Sequence, residues 1–338
     1  PLSRQPMPTA ENAKLQYEAG QTSYAMSALT DSGDQTTFRG SATFWSQRSG
    51  YTPVVRPNGL ITGGVVTPAA SGTNNYVDVS AGTAYINGSL VTFSADTDLE
   101  ITRATSTDTH IINSITVTSA GAVAVVTGTD HASAFSETRD ADGGPPLIAV
   151  TSIEIAQVRT TSFTAAAITA AEIFSVVGTH TERYDYPLWD IDYGDGSNNA
   201  GVTFVSALPA IHTGSLPKNV YASYADPIFA DVQKSSDFVP PENSHTINST
   251  QIYGRTLGST STTLNQGSFT AYLENGVTDP MVSLKDEILW FKFFPDRTQS
   301  PYVICQGKLG IGRTFPAGDA ISASCTINAE SIGSEVAS

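Results

Sequence analysis

The chain has 338 residues, 40% of them hydrophobic and only 14% charged, which excludes a wholly disordered polymer and leaves room for two domains or one domain with a large insertion. Seventeen Lys and Arg stand against 32 Asp and Glu, a formal charge of −15 that argues against a surface built to grip phosphates. Ser, Thr, Gly and Ala fill the place of the missing charges, a composition that suits β-rich proteins with polar but uncharged surfaces, often extracellular or assembled ones.

Residues 1–16 hold three prolines in the first eight positions and read as an arm. No charged segment followed by an apolar run opens the chain, and no stretch of about 18 apolar residues follows, so synthesis in a cytosol without export is expected. Pro1 fits removal of an initiator Met. Tyr24, Met26 and Leu29 alternate loosely ahead of an Asp31-Ser32-Gly33-Asp34 turn, and a short strand is predicted over Gly40–Trp45. The Gly, Pro and Arg of residues 47–58 mark an exposed loop or a boundary.

Residues 59–160 read as short strands with a turn every eight to twelve residues: 76–79, 83–86, 90–93, 99–102, 111–117, 122–126 and 153–158. That spacing predicts a small β-sandwich or barrel. Asn87-Gly88 between TAYI and SLVTF predicts a hairpin, because both central positions of a type I′ turn need positive φ. The Ala-rich run 164–174 predicts a short helix or an apolar crossing segment. Residues 58–179 contain three basic residues, eleven acidic ones and no Lys. From Gly178 the texture shifts to aromatics at Tyr184, Tyr186, Trp189 and Tyr193, which sets the division 1–57, 58–179 and 180–338.

Asp226-Pro227 reads as an N-cap followed by a first-turn proline, predicting a helix near 227–235. Strands are predicted again at 250–253 and 268–273, and then in the densest β signal of the chain, at 288–294, 302–309 and 320–327. In the first of these three both faces are apolar and only Lys292 interrupts, the pattern of a strand covered on both sides. Its aromatics Trp290, Phe291 and Phe293, with Trp45 and Tyr51, are core residues or candidates for a subunit interface. In the last strand Ile321, Ala323, Cys325 and Ile327 alternate with Ser322, Ser324, Thr326 and Asn328, a half-buried strand whose wet face carries no charge. Cys305 and Cys325 both sit on apolar sides, as buried free thiols or a cross-strand disulfide. The expected fold class is all-β with one short flanking helix.

No motif here carries catalysis. WDIDYGDGS at 189–197 has the acidic spacing of a calcium loop, but the twelfth position is Gly201 where a carboxylate is needed, so it reads as an acidic turn. The five histidines are scattered, without HExxH or CxxC partners, and GKLGIG at 307–312 has neither dinucleotide nor P-loop spacing. Asp286 and Glu287 are adjacent on a strand and point to opposite faces, so they cannot flank one bond. No metal and no cofactor is called for, and the expectation is that the chain is not an enzyme.

The succession LKDEILWFKFFPDRTQSPYVICQGKLGIGRTFPAGDAISASCTINAE resembles the end of major tail tube proteins of long, non-contractile-tailed double-stranded DNA bacteriophages. The likeness covers 180–338 and, to a lesser degree, 20–57, where ALTDSGDQTTFRGSATFWSQRSG is similar in texture to a first tube hairpin and loop. The long stretch 58–179 departs from the simplest members and looks like an inserted or appended surface domain. The resemblance implies a tail-tube β-sandwich or barrel plus an additional small β-sandwich-like domain, stacked as hexameric rings in the virion after assembly in the host cytoplasm. It further implies contacts with tape-measure, tail-terminator and distal-tail proteins around an acidic channel that passes double-stranded DNA without binding it specifically. On that reading Ser322, Ser324, Thr326 and Asn328 are candidate channel lining, and 1–16, 47–58 and 330–338 are candidates for ring-to-ring contacts. A rival class is a receptor-binding tail fibre, adhesin or decoration protein that uses 58–179, Thr-rich and Lys-free, on a host surface.

Overall fold

The computed structural model describes residues 11–49, 53–176, 188–190, 199–214 and 220–337. The described residues are strands and loops, and their only helical turns are two 3-10 segments, Ala170–Glu172 and Pro280–Leu284.

Nine strands form the largest sheet: β1 Lys14–Ala28, β2 Val54–Pro57, β3 Val220–Asp231, β4 Ser235–Val239, β5 Gly267–Tyr272, β6 Ile288–Phe294, β7 Tyr302–Thr314, β8 Ser322–Asn328 and β9 Ser334–Val336. Their order is β4-β5-β8-β7-β6-β1-β3-β2, all antiparallel, with β9 also on β7. The two flanks are consecutive in sequence. From β3 the chain passes through Val232–Lys234 into β4, the Val232 amide donating to the Leu15 carbonyl and the Lys234 carbonyl accepting from Tyr272. The sheet is therefore rolled around one core, which leaves fewer open edges than a flat sheet would. Leu15, Tyr17, Phe269, Leu289, Phe291, Cys305, Leu309, Cys325 and Ile327 fill the inside, and Met281 and Leu284 of the second 3-10 turn pack on it.

Outside β6, the start of β7 and β1, residues 40–49 form a cover. Phe44 packs on Trp290 at 5.1 Å between ring centres, and the Trp290 indole donates to the Trp45 carbonyl. A small sheet, Leu188–Asp190, Gly201–Thr203, Thr37–Arg39 and Thr30–Asp31, lies over a further cluster with Phe38, Trp45, Val202, Phe204 and Tyr224. Residues 59–175 hold two three-stranded sheets and one four-stranded sheet around their own cluster, which includes Val77, Ile86, Phe93, Ile115 and Val158. The Asn87-Gly88 tip rests on the large sheet: Tyr221 donates its hydroxyl to the Asn87 Oδ1, and Arg56 lies over the Tyr85 ring.

Four expectations are corrected. Residues 227–235 are not helical, because β3 runs through Asp231 in register with β1, Gln21 opposite Pro227. The other neighbour, β2, reaches only Ser223, so Pro227 lies where β3 has one free edge and its missing N–H is tolerated. The 164–174 run supplies one 3-10 turn and then strand Ile173–Ser175, so the expected flanking helix is absent from the described residues. Gly40–Trp45 is a loop, not a strand, and the arm ends earlier than expected, because β1 begins at Lys14. The Asn87-Gly88 hairpin is as expected, with φ of 52° and 75°.

Candidate assembly surface

Along β8 the inward side chains Ala323, Cys325 and Ile327 are fully buried, while Ser324, Thr326 and Asn328 are exposed and Ser322 is half-buried. Cross-strand register extends this wet face sideways. Thr326 lies between Ser268 and Gly310, and Ser324 between Thr270, itself beside Ser236, and Gly312. A Cβ on Gly310 would fall 2.3 Å from the Thr326 Oγ1, so the glycine gives the threonine its room. The result is a bare field of hydroxyls across β4, β5, β8 and the second half of β7. Its charged groups are Lys308, opposite Asn328, and Asp237, an exposed residue at the β4 irregularity whose carboxylate accepts a hydrogen bond from the Ser236 hydroxyl at 2.8 Å.

From the same strands springs a ribbon that sequence reasoning largely missed. Beyond Pro240-Pro241 and Gln266, β4 and β5 continue as Glu242–Ile252 and Arg255–Asn265, paired residue for residue and turned by Tyr253-Gly254. Eleven residues a side is about 36 Å of projecting hairpin. Nearly every position is exposed, including Ile247, Leu257 and Tyr253, and neither strand pairs with anything but the other. The ribbon lacks Lys and internal Pro, the usual guards of an open edge. Only 250–253 reads as a strand in the sequence, because a ribbon buried on neither face shows no apolar alternation.

The predicted interface residues lie elsewhere. Trp45, Trp290 and Phe291 are at most 2% exposed inside the chain's own clusters, which leaves no area for another subunit and corrects that reading for these three. Phe293 is half-buried, stacked on Phe238 at 4.6 Å, and Tyr51 lies outside the described residues. Lys292, the interruption in the apolar strand, points its ammonium at the Phe229, Tyr302 and Phe44 rings at 4.6, 4.8 and 5.6 Å. Burial holds its pKa below the ordinary lysine value.

Glu18 is fully buried beneath residues 40–49. It accepts hydrogen bonds from the Ser46 hydroxyl and the Trp290 amide, yet burial outweighs these and raises its pKa. It lies on the outward side of β1, and only the cover by residues 40–49 removes it from water. The cysteines are free thiols: Cys305 pairs with Phe291 and Cys325 with Ile311, so they are not cross-strand neighbours, and burial pushes both up to about 12. Glu287 accepts from the Ser49 amide at 3.1 Å, while residues 191–198 of the acidic turn lie outside the described residues. Among the described residues no three His, Cys, Asp or Glu side chains gather as a metal site. Comparison with protein-family models, with curated proteins and with solved structures returns no match.

Proposed function

We propose that this chain is a structural subunit that polymerises into the tube of a long, non-contractile phage tail, in stacked hexameric rings around a channel for double-stranded DNA. The observation that carries the reading is the hydroxyl face of β4, β5, β8 and β7 running straight into the 242–265 ribbon, whose outer edges pair with no other described strand. An isolated two-stranded ribbon is marginal in water, and two long unguarded edges invite strands from other copies. Pairing with neighbours gives those edges partners and extends the hydroxyl face into a lining. Such a lining offers DNA neither a ladder of Lys and Arg to stick to nor a base-reading surface, so the duplex slides.

In this assembly residues 58–179 form an inserted unit carried on the tube's outside, the described residues 59–175 folded on their own cluster. Terminator, tape-measure and distal-tail proteins are the partners that set the length and ends of the tube. The test is negative-stain electron microscopy of the purified chain at high concentration. Hollow tubes with six-fold end views are expected. Discrete monomers or trimers would overturn the reading in favour of a host-binding adhesin that uses 58–179.

A further inference from the structure

The ribbon leaves the rolled sheet at one end of β4 and β5, and a cavity opens at the other. β4 runs from Ser235 to Val239 and β5 returns from Gly267 to Tyr272, so the ribbon grows from the Val239–Gly267 end. A cavity of about 420 Å³ lies at the Ser235–Tyr272 end, walled by Tyr17, Leu273 and Met281 and bordered by Asp231, Glu274 and Lys234. Its volume is in the range that accepts a side chain or a small ligand, and the mouth of a rolled sheet is a common place for such a site.

The ribbon tip and the cavity are complementary. At the tip stand Tyr253, fully exposed, and Arg255, whose guanidinium has no partner among the described residues. At the cavity, Asp231 is held by Lys14 at 3.2 Å and Gln16 at 2.8 Å, and Asp279 accepts backbone N–H groups of the 274–276 turn. That leaves the exposed Glu274 carboxylate without a side-chain partner among the described residues, next to an apolar pocket.

We propose that the ribbon tip of one copy docks in this cavity of the next, Tyr253 entering between Tyr17, Leu273 and Met281 while Arg255 pairs with Glu274. Because tip and cavity occupy opposite ends of the same two strands, the contact is head-to-tail. It leaves a free tip at one end and a free cavity at the other, the geometry of an open polymer rather than a closed dimer. This inference rests on the tube reading and names the contact that stacks one ring on the next.

The test is a charge exchange in the full chain, scored by sedimentation of polymer and by electron microscopy, with circular dichroism to verify folding. Both residues are exposed, so neither substitution removes core contacts. Arg255→Glu and Glu274→Arg should each weaken association by about tenfold or more, as expected for loss of a charged hydrogen bond. The double variant should polymerise again. Single variants that polymerise like the parent chain would overturn the docking and leave the tube reading standing, as would single variants that fail with no recovery in the double. A parent chain that never polymerises would overturn the tube reading, and the docking with it.

Discussion

Two hairpins of this chain turn on a two-residue loop ending in glycine, Asn87-Gly88 and Tyr253-Gly254, and their surroundings are opposite. In the first, the strands Gly82–Ile86 and Ser89–Phe93 bury Ala84, Ile86 and Phe93 in a shared cluster, and the tip is pinned under Tyr221. The second is more than twice as long and buries almost nothing. Local pairing forms both, but only the first rests on tertiary packing within the chain. On the proposed reading the long ribbon is completed by other copies, whereas the short hairpin is completed within the chain. The outer face of the large sheet divides the same way: residues 40–49 cover β6 and β1, while the hydroxyl half stays bare.

The comparison is sharpest at Ile86, which is fully buried. Ile86→Ala should destabilise the monomer by about 2–5 kcal/mol through lost burial and a residual cavity, read by denaturant melts of non-polymerised protein. A loss below about 0.5 kcal/mol, the size of an ordinary surface substitution, would mean that the short hairpin is as unsupported as the long one.

The two tip glycines come next. Both have positive φ, 75° at Gly88 and 84° at Gly254, so Ala carries left-handed strain at either, roughly 1–2 kcal/mol. At Gly88 the new Cβ would also meet the Tyr221 Cβ at 2.9 Å and the Met26 Cβ at 3.1 Å, whereas nothing lies within 4 Å of Gly254. Gly88→Ala should therefore cost more in thermal melts of the monomer than Gly254→Ala. Equal costs would show that the tip of the short hairpin is not held against the large sheet.

Where one face of a strand is buried, the sequence shows it plainly: the alternation of Ser322–Asn328 and the two-sided run Ile288–Phe294 appear where the structure has them. Strands decided by partners distant in sequence are hidden. Asp226-Pro227 carries every local mark of a helix start, but the β1 ladder outweighs the cap, and Asp226 stands opposite Thr22 in that ladder. The hydroxyl strip was legible in part, since Ser324 and Thr326 alternate with buried residues. Its extension over β4 and β5 was not, because it depends on register between strands some 55 residues apart. Trp290 and Phe291 read first as core and second as interface, since both are apolar burials, and only the cover over residue 290 decides between them.

Glu18 gives the smallest and most specific test of the covered half of the sheet. A carboxyl with a higher pKa in the folded chain than in the unfolded one binds its proton more tightly when native. Its contribution is therefore complete below the ordinary value of 4.5 and is lost as pH rises through the folded value. Stability measured against Glu18→Gln should thus fall from mildly acidic pH toward neutrality in the parent chain, and the variant, lacking the titration, should lose that part of the slope. The Gln side chain can still accept from Ser46 or the Trp290 amide, so the cover stays in place and the difference reports on charge. Parallel pH profiles would mean that water reaches Glu18 beneath residues 40–49. The covered half of the sheet would then be as open to solvent as the hydroxyl half.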